Sequence, residues 1–215
     1  YNGYVHYVPD LTGHATLWFY GLGVWIKLFG LDVTTMRLYP VLIGLLAVVA
    51  TYLLGREVLG PRGALAAAFI MAISRWHITF SRYIFTAGMV TLVMALAMWL
   101  LIRALRTRRP LDFIWAGIAC GLGLTAYLPV RFVLPAVIAV YLLYRLAADR
   151  SLLRRQWQGL LLFAVALILA AMPLAVYFQK YPDMLFARAQ QASVQQDINQ
   201  AGSLAPLKDN IRKAF

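Results

Sequence analysis

Long apolar runs separated by short polar segments dominate the chain, and their lengths predict membrane-spanning helices. A hydrocarbon core of about 30 Å is crossed by about 20 helical residues. Six runs come close: Thr34–Gly55, Gly63–Thr79, Tyr83–Leu105, Asp112–Leu128, Phe132–Leu146 and Trp157–Phe178. The second, fourth and fifth are shorter and need snorkelling side chains or a locally thinner bilayer. The pattern therefore predicts an all-α, polytopic membrane bundle with about six spans.

The run Leu17–Leu31 differs from the predicted spans. It is short, it is interrupted by Gly21 and Gly23, and it contains Lys27 and two tryptophans. Tryptophan and lysine favour the headgroup layer of a membrane. We predict an interfacial or half-inserted juxtamembrane helix here, with a seventh span as the alternative.

Composition agrees with a membrane protein and narrows the candidate chemistry. The chain has 215 residues and is 62% hydrophobic, above the usual share of about 45–50% for soluble domains. Its net charge of +12 would suit a nucleic-acid partner. The basic residues lie between apolar runs, however, so we predict no nucleic acid. The single cysteine, Cys120, excludes an internal disulfide or a cysteine metal site.

Arginine clusters predict the orientation of the spans. Arg103–Arg109 and Arg145–Arg155 are separated by two predicted spans, so both lie on one side. Their density favours the cytoplasm, and Arg56 and Arg62 fall on the same side. The predicted organisation is an outer-face segment with the juxtamembrane helix (1–33), a transmembrane bundle (34–178) and a polar outer-face tail (179–215) that forms one or two surface helices.

The predicted outer face is also basic, against the usual rule. The arginines at span ends on this face are Arg37, Arg75, Arg82 and Arg131. Each alone is typical of a lipid anchor, since its long side chain snorkels to the headgroups. The alternative is that together they form a site for the phosphate of a phospholipid or polyprenyl phosphate, because guanidinium groups bind phosphate bidentately. Tyr127 and His77 add hydrogen-bonding groups at the same level.

Acidic residues are scarce on this face, and Asp10 is the best placed of them. A glycosyl transfer needs a general base that takes the acceptor's proton. Asp10 stands in Y-V-P-D-L-T-G-H, just before the juxtamembrane helix. A turn or helix-cap aspartate is the alternative interpretation, since Pro-Asp and Thr-Gly are common turn residues.

The order of several motifs resembles that of the membrane-embedded C-type glycosyltransferases, such as the protein O-mannosyltransferases and the lipid A aminoarabinose transferase. The motifs are K-L-F-G-L at Lys27–Leu31, M-R-L-Y-P-V-L-I-G at Met36–Gly44, T-Y-L-L-G-R-E-V-L-G-P-R at Thr51–Arg62, S-R-W-H-I-T-F-S-R at Ser74–Arg82, G-L-T-A-Y-L-P-V-R at Gly123–Arg131 and Y-P-D-M-L-F-A-R at Tyr181–Arg188. The resemblance covers nearly the whole chain.

This resemblance implies a glycosyltransferase of the cell membrane that uses a polyprenyl-phosphate sugar and acts on an acceptor at the outer face. It implies that Arg37 contacts the lipid phosphate. The other substrate-binding residues that it implies are His14, His77, Arg82, Tyr127, Arg131 and Arg188. In the family an essential acid, often Asp-Glu, follows the first span, so we expect the base upstream of Tyr1, with Asp10 as second candidate. No cofactor is firmly implied, and a divalent metal is left open.

Two departures from the family pattern keep an alternative open. The family's Pro-Pro is replaced by G-H-A-T at Gly13–Thr16, and its Ser-Pro-Trp-His by S-R-W-H at Ser74–His77. The alternative is a non-enzymatic membrane subunit with this fold inside a larger complex. The expected partners are membrane lipid, a lipid-linked sugar and subunits of such a complex. Half of a transporter is disfavoured, because no acidic residue lies in the middle of a predicted span.

Overall fold

A computed structural model describes residues 16–127 and 129–180, and within them it contains eight helices and no strand. The helices are α1 (Thr16–Phe29), α2 (Val33–Val58), α3 (Gly60–Ile73), α4 (Arg75–Arg82), α5 (Gly88–Thr107), α6 (Pro110–Gly123), α7 (Val130–Ala148) and α8 (Leu152–Lys180). The predicted all-α bundle is confirmed. Contacts assign His14–Pro173 to one compact unit, and the end of α8, residues 174–180, to another.

Within the described residues, four helices are long and apolar enough to cross a membrane. They are α2, α5, α7 and the Arg154–Val176 part of α8. A fifth span is obtained if α3 and α4 are counted as one bent element. The number of spans is therefore four or five where the sequence predicted about six. The difference comes from the second and fourth predicted spans.

The second predicted span, Gly63–Thr79, is broken at Ser74. Ser74 has an extended backbone (φ −63°, ψ 124°), and α4 begins at the next residue. The two helices are bent by 58° relative to each other. The break falls where the composition changes, since α3 is apolar after its first turn and α4 has an arginine at each end. Charged side chains are costly inside the hydrocarbon core, which favours a turn at this point.

The fourth predicted span, Asp112–Leu128, is also shorter than expected. α6 has 14 residues, a length of about 21 Å at 1.5 Å per residue. Beyond Gly123 the chain continues in turns, with Ala126 N donating to Gly123 O at 3.0 Å. The third predicted span, Tyr83–Leu105, begins late for a similar reason, because α5 starts only at Gly88, after turns at residues 85–87.

The juxtamembrane helix α1 packs against the start of α2. Trp18 is 1% exposed, and its carbonyl accepts a hydrogen bond from the Tyr39 hydroxyl at 3.4 Å. Trp25 Nε1 donates to Thr35 O at 2.8 Å. With 14 residues, α1 is about 21 Å long, short of the about 30 Å needed to cross. This length favours the interfacial interpretation over a seventh span.

The helices of the bundle approach each other closely where small residues meet. Ala97, Ala104 and Ala116 are fully buried between α2, α5 and α6. A Cβ atom added at Gly121 would lie 2.6 Å from the Leu167 carbonyl of α8. Small residues at such contacts let helix backbones pack tightly, as is usual in membrane bundles.

Contacts between the helices define two ends of the bundle. The His77 end contains the start of α2, α4, the start of α5, and the α6–α7 connection, where Gly123 approaches Val93. The Glu57 end contains the end of α2, the start of α3, and the α5–α6 connection, because Arg106 Nη1 lies 2.9 Å from Glu57 Oε2. The start of α8 belongs there too, since Gln156 Nε2 donates to Leu105 O at 3.2 Å. Both predicted cytoplasmic arginine clusters thus share one end, and their membrane side stays a prediction.

Candidate functional site

A cavity of about 770 Å³ lies at the His77 end. It is bounded by α1, α2, α3, α4 and the first turn of α5. Its polar lining residues are Ser74, His77, Ser81 and Thr91, and its aromatic lining residues are Trp18, Trp76 and Phe80. The cavity therefore combines hydroxyl and imidazole groups with a largely apolar wall.

Gly44 of α2 allows α4 to form this wall. A Cβ atom at Gly44 would overlap the Ser81 hydroxyl and lie 2.8 Å from Ser81 Cβ. The absence of a side chain brings the backbone of α2 within reach of His77 on α4. The position of α4, and with it the cavity, depends on this close approach.

His77 has two hydrogen-bond contacts, one through its ring and one through its own carbonyl. Its Nε2 lies 3.1 Å from Gly44 O, and its own carbonyl accepts a hydrogen bond from the Ser81 hydroxyl at 2.8 Å. A carbonyl only accepts, so this contact assigns the proton to Nε2. Nδ1 is then the ring nitrogen left for a ligand. It accepts from a hydroxyl when the ring is neutral, and it donates to an anion when the ring is charged.

The structure places Arg37 and Arg82 on elements that build the cavity, although the described lining does not include them. Arg37 is exposed in the second turn of α2, three residues before the lining residue Pro40. Arg82 is exposed at the last position of α4, next to the lining residue Ser81. Both side chains are long enough to reach a ligand that extends beyond the lining. Their convergence on one phosphate stays a prediction.

Tyr127 lies in the α6–α7 connection and Arg131 in the first turn of α7, at the same end of the bundle. Tyr127 is half-buried and packs against the core. Arg131 Nε donates to Leu124 O at 3.2 Å, which ties the first turn of α7 to the end of α6. Neither residue belongs to the described lining of the cavity.

The remaining predicted site residues, Asp10, His14 and Arg188, lie outside the described residues. Within residues 16–127 and 129–180, no group of three or more His, Cys, Asp or Glu side chains is arranged to hold a metal ion.

Sequence reasoning missed Ser81 and Trp18 as lining residues. A signal for Ser81 was present, because residues four apart lie on one face of a helix and Ser81 follows His77 by four. Trp18 reaches the cavity because α1 packs on α2. This contact between helices cannot be inferred from a single sequence.

Comparison with known proteins assigns a family. The family described as dolichyl-phosphate-mannose-protein mannosyltransferase matches residues 13–177. An uncharacterised protein from Aquifex aeolicus (strain VF5) is 33% identical over 141 residues, which cover 65% of this chain and 28% of that protein. No solved structure matches the chain. Because the family match covers well over half of the sequence and both the α2 and α4 walls of the cavity, the chain belongs to the dolichyl-phosphate-mannose-protein mannosyltransferase family of membrane glycosyltransferases.

Proposed function

We propose that the protein transfers a sugar from a polyprenyl-phosphate donor to an acceptor at the outer face of the cell membrane. The observation that carries the proposal is the cavity lined by His77, whose walls include α2 and α4, the two helices that hold Arg37 and Arg82. The matched relative is much longer than this chain, so the activity is proposed for the full-length protein.

The wall of the cavity suits a donor that is carried by a lipid. Ile70 and Trp76 line it and are 64% and 76% exposed, so they extend from the cavity to the surface of the bundle. A polyprenyl chain could lie along such apolar side chains while its phosphate remains near the basic helix ends. This arrangement separates the apolar and anionic parts of one ligand, as a membrane interface does.

The reaction requires one bond to form and one to break at the anomeric carbon. The acceptor oxygen attacks this carbon, the bond to the phosphate oxygen breaks, and the electron pair leaves with the polyprenyl phosphate. The acceptor's proton passes to a general base, for which an acid upstream of Tyr1 and Asp10 are the candidates. Arg37 and Arg82 would stabilise the negative charge on the departing phosphate, and His77 Nδ1 would orient a hydroxyl group.

The test measures sugar transfer from a polyprenyl-phosphate sugar by the full-length protein. Arg37→Ala should lower the rate about ten- to a hundred-fold, the size of a lost charge-assisted hydrogen bond. Arg62→Ala is the matched control, since Arg62 is an exposed arginine in the first turn of α3 at the other end. Equal rates for wild type and Arg37→Ala would contradict the phosphate role. A stable stoichiometric assembly of the wild type that transfers no sugar would instead favour the non-enzymatic subunit.

A further inference from the structure

A second cavity, of about 580 Å³, lies at the Glu57 end. Its lining includes four arginines that come from α2, from α5 and from the α5–α6 connection: Arg56, Arg103, Arg106 and Arg109. We propose that this cavity binds the phosphate of an anionic phospholipid. The proposal concerns a different site from the sugar-transfer cavity and does not depend on it.

The charges in this cavity leave two guanidinium groups available. Glu57 pairs with Arg106, whose Nη1 lies 2.9 Å from Glu57 Oε2. Arg103 pairs with Asp112 at 3.6 Å. Among the residues that the structure describes, neither Arg56 nor Arg109 pairs with a carboxylate. Two such groups from different elements of one cavity are suited to hold the oxygens of one phosphate.

The α5–α6 turn brings Arg109 into the lining. Arg108 ends α5 in the left-handed conformation (φ 58°), and its N–H donates to Ala104 O at 2.9 Å. A left-handed conformation is unfavourable for a residue other than glycine. The turn is fixed further by the Thr107 hydroxyl, which donates to Asp112 Oδ2 at 2.6 Å. The arginines are thus presented by a defined turn and not by a loose basic tail.

The other lining residues favour a phosphate that is attached to a lipid. Leu53 and Trp99 lie within α2 and α5, about one turn further from the helix ends than the arginines, and both line the cavity. The Arg103 guanidinium lies 5.5 Å from the centre of the Trp99 ring, and tryptophan is enriched at the headgroup level. The lining therefore passes from charged to apolar, in the same order as a phospholipid from phosphate to acyl chain.

Glu57 determines which guanidinium groups remain available. Its side chain is 9% exposed, and its Oε2 lies 2.9 Å from Arg106 Nη1. A nearly buried carboxylate is stabilised by an opposite charge beside it. Glu57 therefore keeps Arg106 engaged and leaves Arg56 and Arg109 for the phosphate.

The experiment measures binding of short-chain phosphatidylglycerol to the full-length protein in neutral detergent, by native mass spectrometry and by the shift in melting temperature. The double variant Arg56→Gln/Arg109→Gln should bind about ten-fold more weakly or worse. Arg62→Gln/Arg154→Gln is the matched control, because it removes the same charge from exposed positions at the same end that are outside the lining. It should bind within about two-fold of wild type, the size of a surface-charge effect.

Competing ligands and a lysine double variant distinguish binding of a lipid phosphate from binding that follows charge alone. Phosphatidylcholine should not compete, and inorganic phosphate should compete only at much higher concentration. Arg56→Lys/Arg109→Lys keeps the charge without the bidentate geometry, so it should bind with intermediate affinity even if the glutamine variant folds poorly. Equal weakening in both glutamine double variants would overturn the proposal, because binding would then follow net charge. Equal binding of inorganic phosphate and phosphatidylglycerol would overturn the assignment to a lipid.

Discussion

The two ends of the bundle form cavities by different means. At the His77 end the described lining is neutral apart from one imidazole, and the cavity depends on a glycine that lets two helices touch. At the Glu57 end the lining contains four arginines, and two carboxylates hold part of them. Both ends carry arginines at their helix ends, but only at the Glu57 end do arginines belong to the described lining. The number of arginines in the sequence therefore does not identify the more charged cavity. What matters is whether a partner or a turn brings the guanidinium groups into the lining.

The largest expected effect comes from filling the close approach at the His77 end. Gly44→Ala would place a methyl group against Ser81, and Ser81 Cβ cannot move without moving α4. We expect a loss of about 1–3 kcal/mol in stability, the usual cost of overpacking. Sugar transfer should fall as well, because His77 loses its contact with Gly44 O. Both are measurable as melting temperature and initial rate in detergent.

Two control variants accompany this prediction. Gly23→Ala adds the same methyl group where nothing lies within 4 Å, so it should leave stability unchanged or raise it by up to about 1 kcal/mol. Gly44→Ala/Ser81→Gly removes the obstructing side chain and should recover part of the loss. If Gly44→Ala were as stable and active as Gly23→Ala, the two helices would not depend on this contact.

His77 offers a smaller effect that separates structure from chemistry. His77→Ala loses both ring nitrogens and should cost about 1 kcal/mol, the net value of one hydrogen bond. His77→Gln keeps an N–H that can donate to Gly44 O, while its Oε1 only accepts hydrogen bonds and does not occupy the position of Nδ1 on the ring. Stability should therefore return in His77→Gln while transfer stays low. Full transfer activity in His77→Gln would show that His77 acts only as a structural link between α4 and α2.

The sequence predicted the existence of these helices better than their breaks. The predicted span Gly63–Thr79 includes the polar residues Ser74 and Arg75, because a membrane crossing needs about 20 residues. In the structure the polar residues prevail, and Ser74 ends α3. The span Asp112–Leu128 failed for the opposite reason. After Asp112 its composition is apolar as far as Leu124, so no charged residue marks the end of α6, and only three-dimensional contacts reveal it.

The two cavities could be predicted from the sequence to different degrees, because contacts between helices are not visible in a single sequence. His77 is predicted as a substrate-binding residue from its polar neighbours and from a resemblance of motifs. It lines a cavity, and its role stays a prediction. The cluster Arg103–Arg109 was interpreted only as a sign of orientation. Glu57 is a sequence signal for a further, structural role of this cluster, since an acid at the end of an apolar run needs a basic partner. Its partner Arg106 is on another helix, and a single sequence does not show that pairing.

At the Glu57 end one substitution should strengthen anion binding. Glu57→Gln removes the carboxylate that pairs with Arg106, so a third guanidinium becomes available to an anion. We expect phosphatidylglycerol to bind about three- to ten-fold more tightly, the reverse of the arginine variants. Asp149→Asn is the control, an equal charge change in the α7–α8 connection at the same end. Tighter binding in both variants alike would mean that overall charge, and not the lining, governs affinity.

The smallest effect concerns Asp32 at the His77 end, which caps α2 and forms no ion pair with an arginine among the residues that the structure describes. Its carboxylate accepts from Thr34 N at 2.9 Å and caps α2. This backbone hydrogen bond is the largest of the causes that hold the pKa of Asp32 below its ordinary value of 3.8. A lowered pKa means that the charged form is favoured by folding. The stabilisation is therefore complete above the ordinary pKa, and it is lost as the pH falls through the folded-state value.

Asp32→Ala should melt below wild type at neutral pH, and this difference should shrink as the pH falls below about 4. Asp32→Asn is the matched variant, because asparagine caps a helix equally well without titrating. Its advantage over Asp32→Ala should persist across the same pH range. The measurement is melting temperature against pH for the three proteins in one detergent. If the wild-type advantage over Asp32→Ala stayed constant into acid, α2 would be capped by the shape of the side chain and not by its charge. The start of α2, which carries Arg37, would then have no electrostatic stabilisation from Asp32.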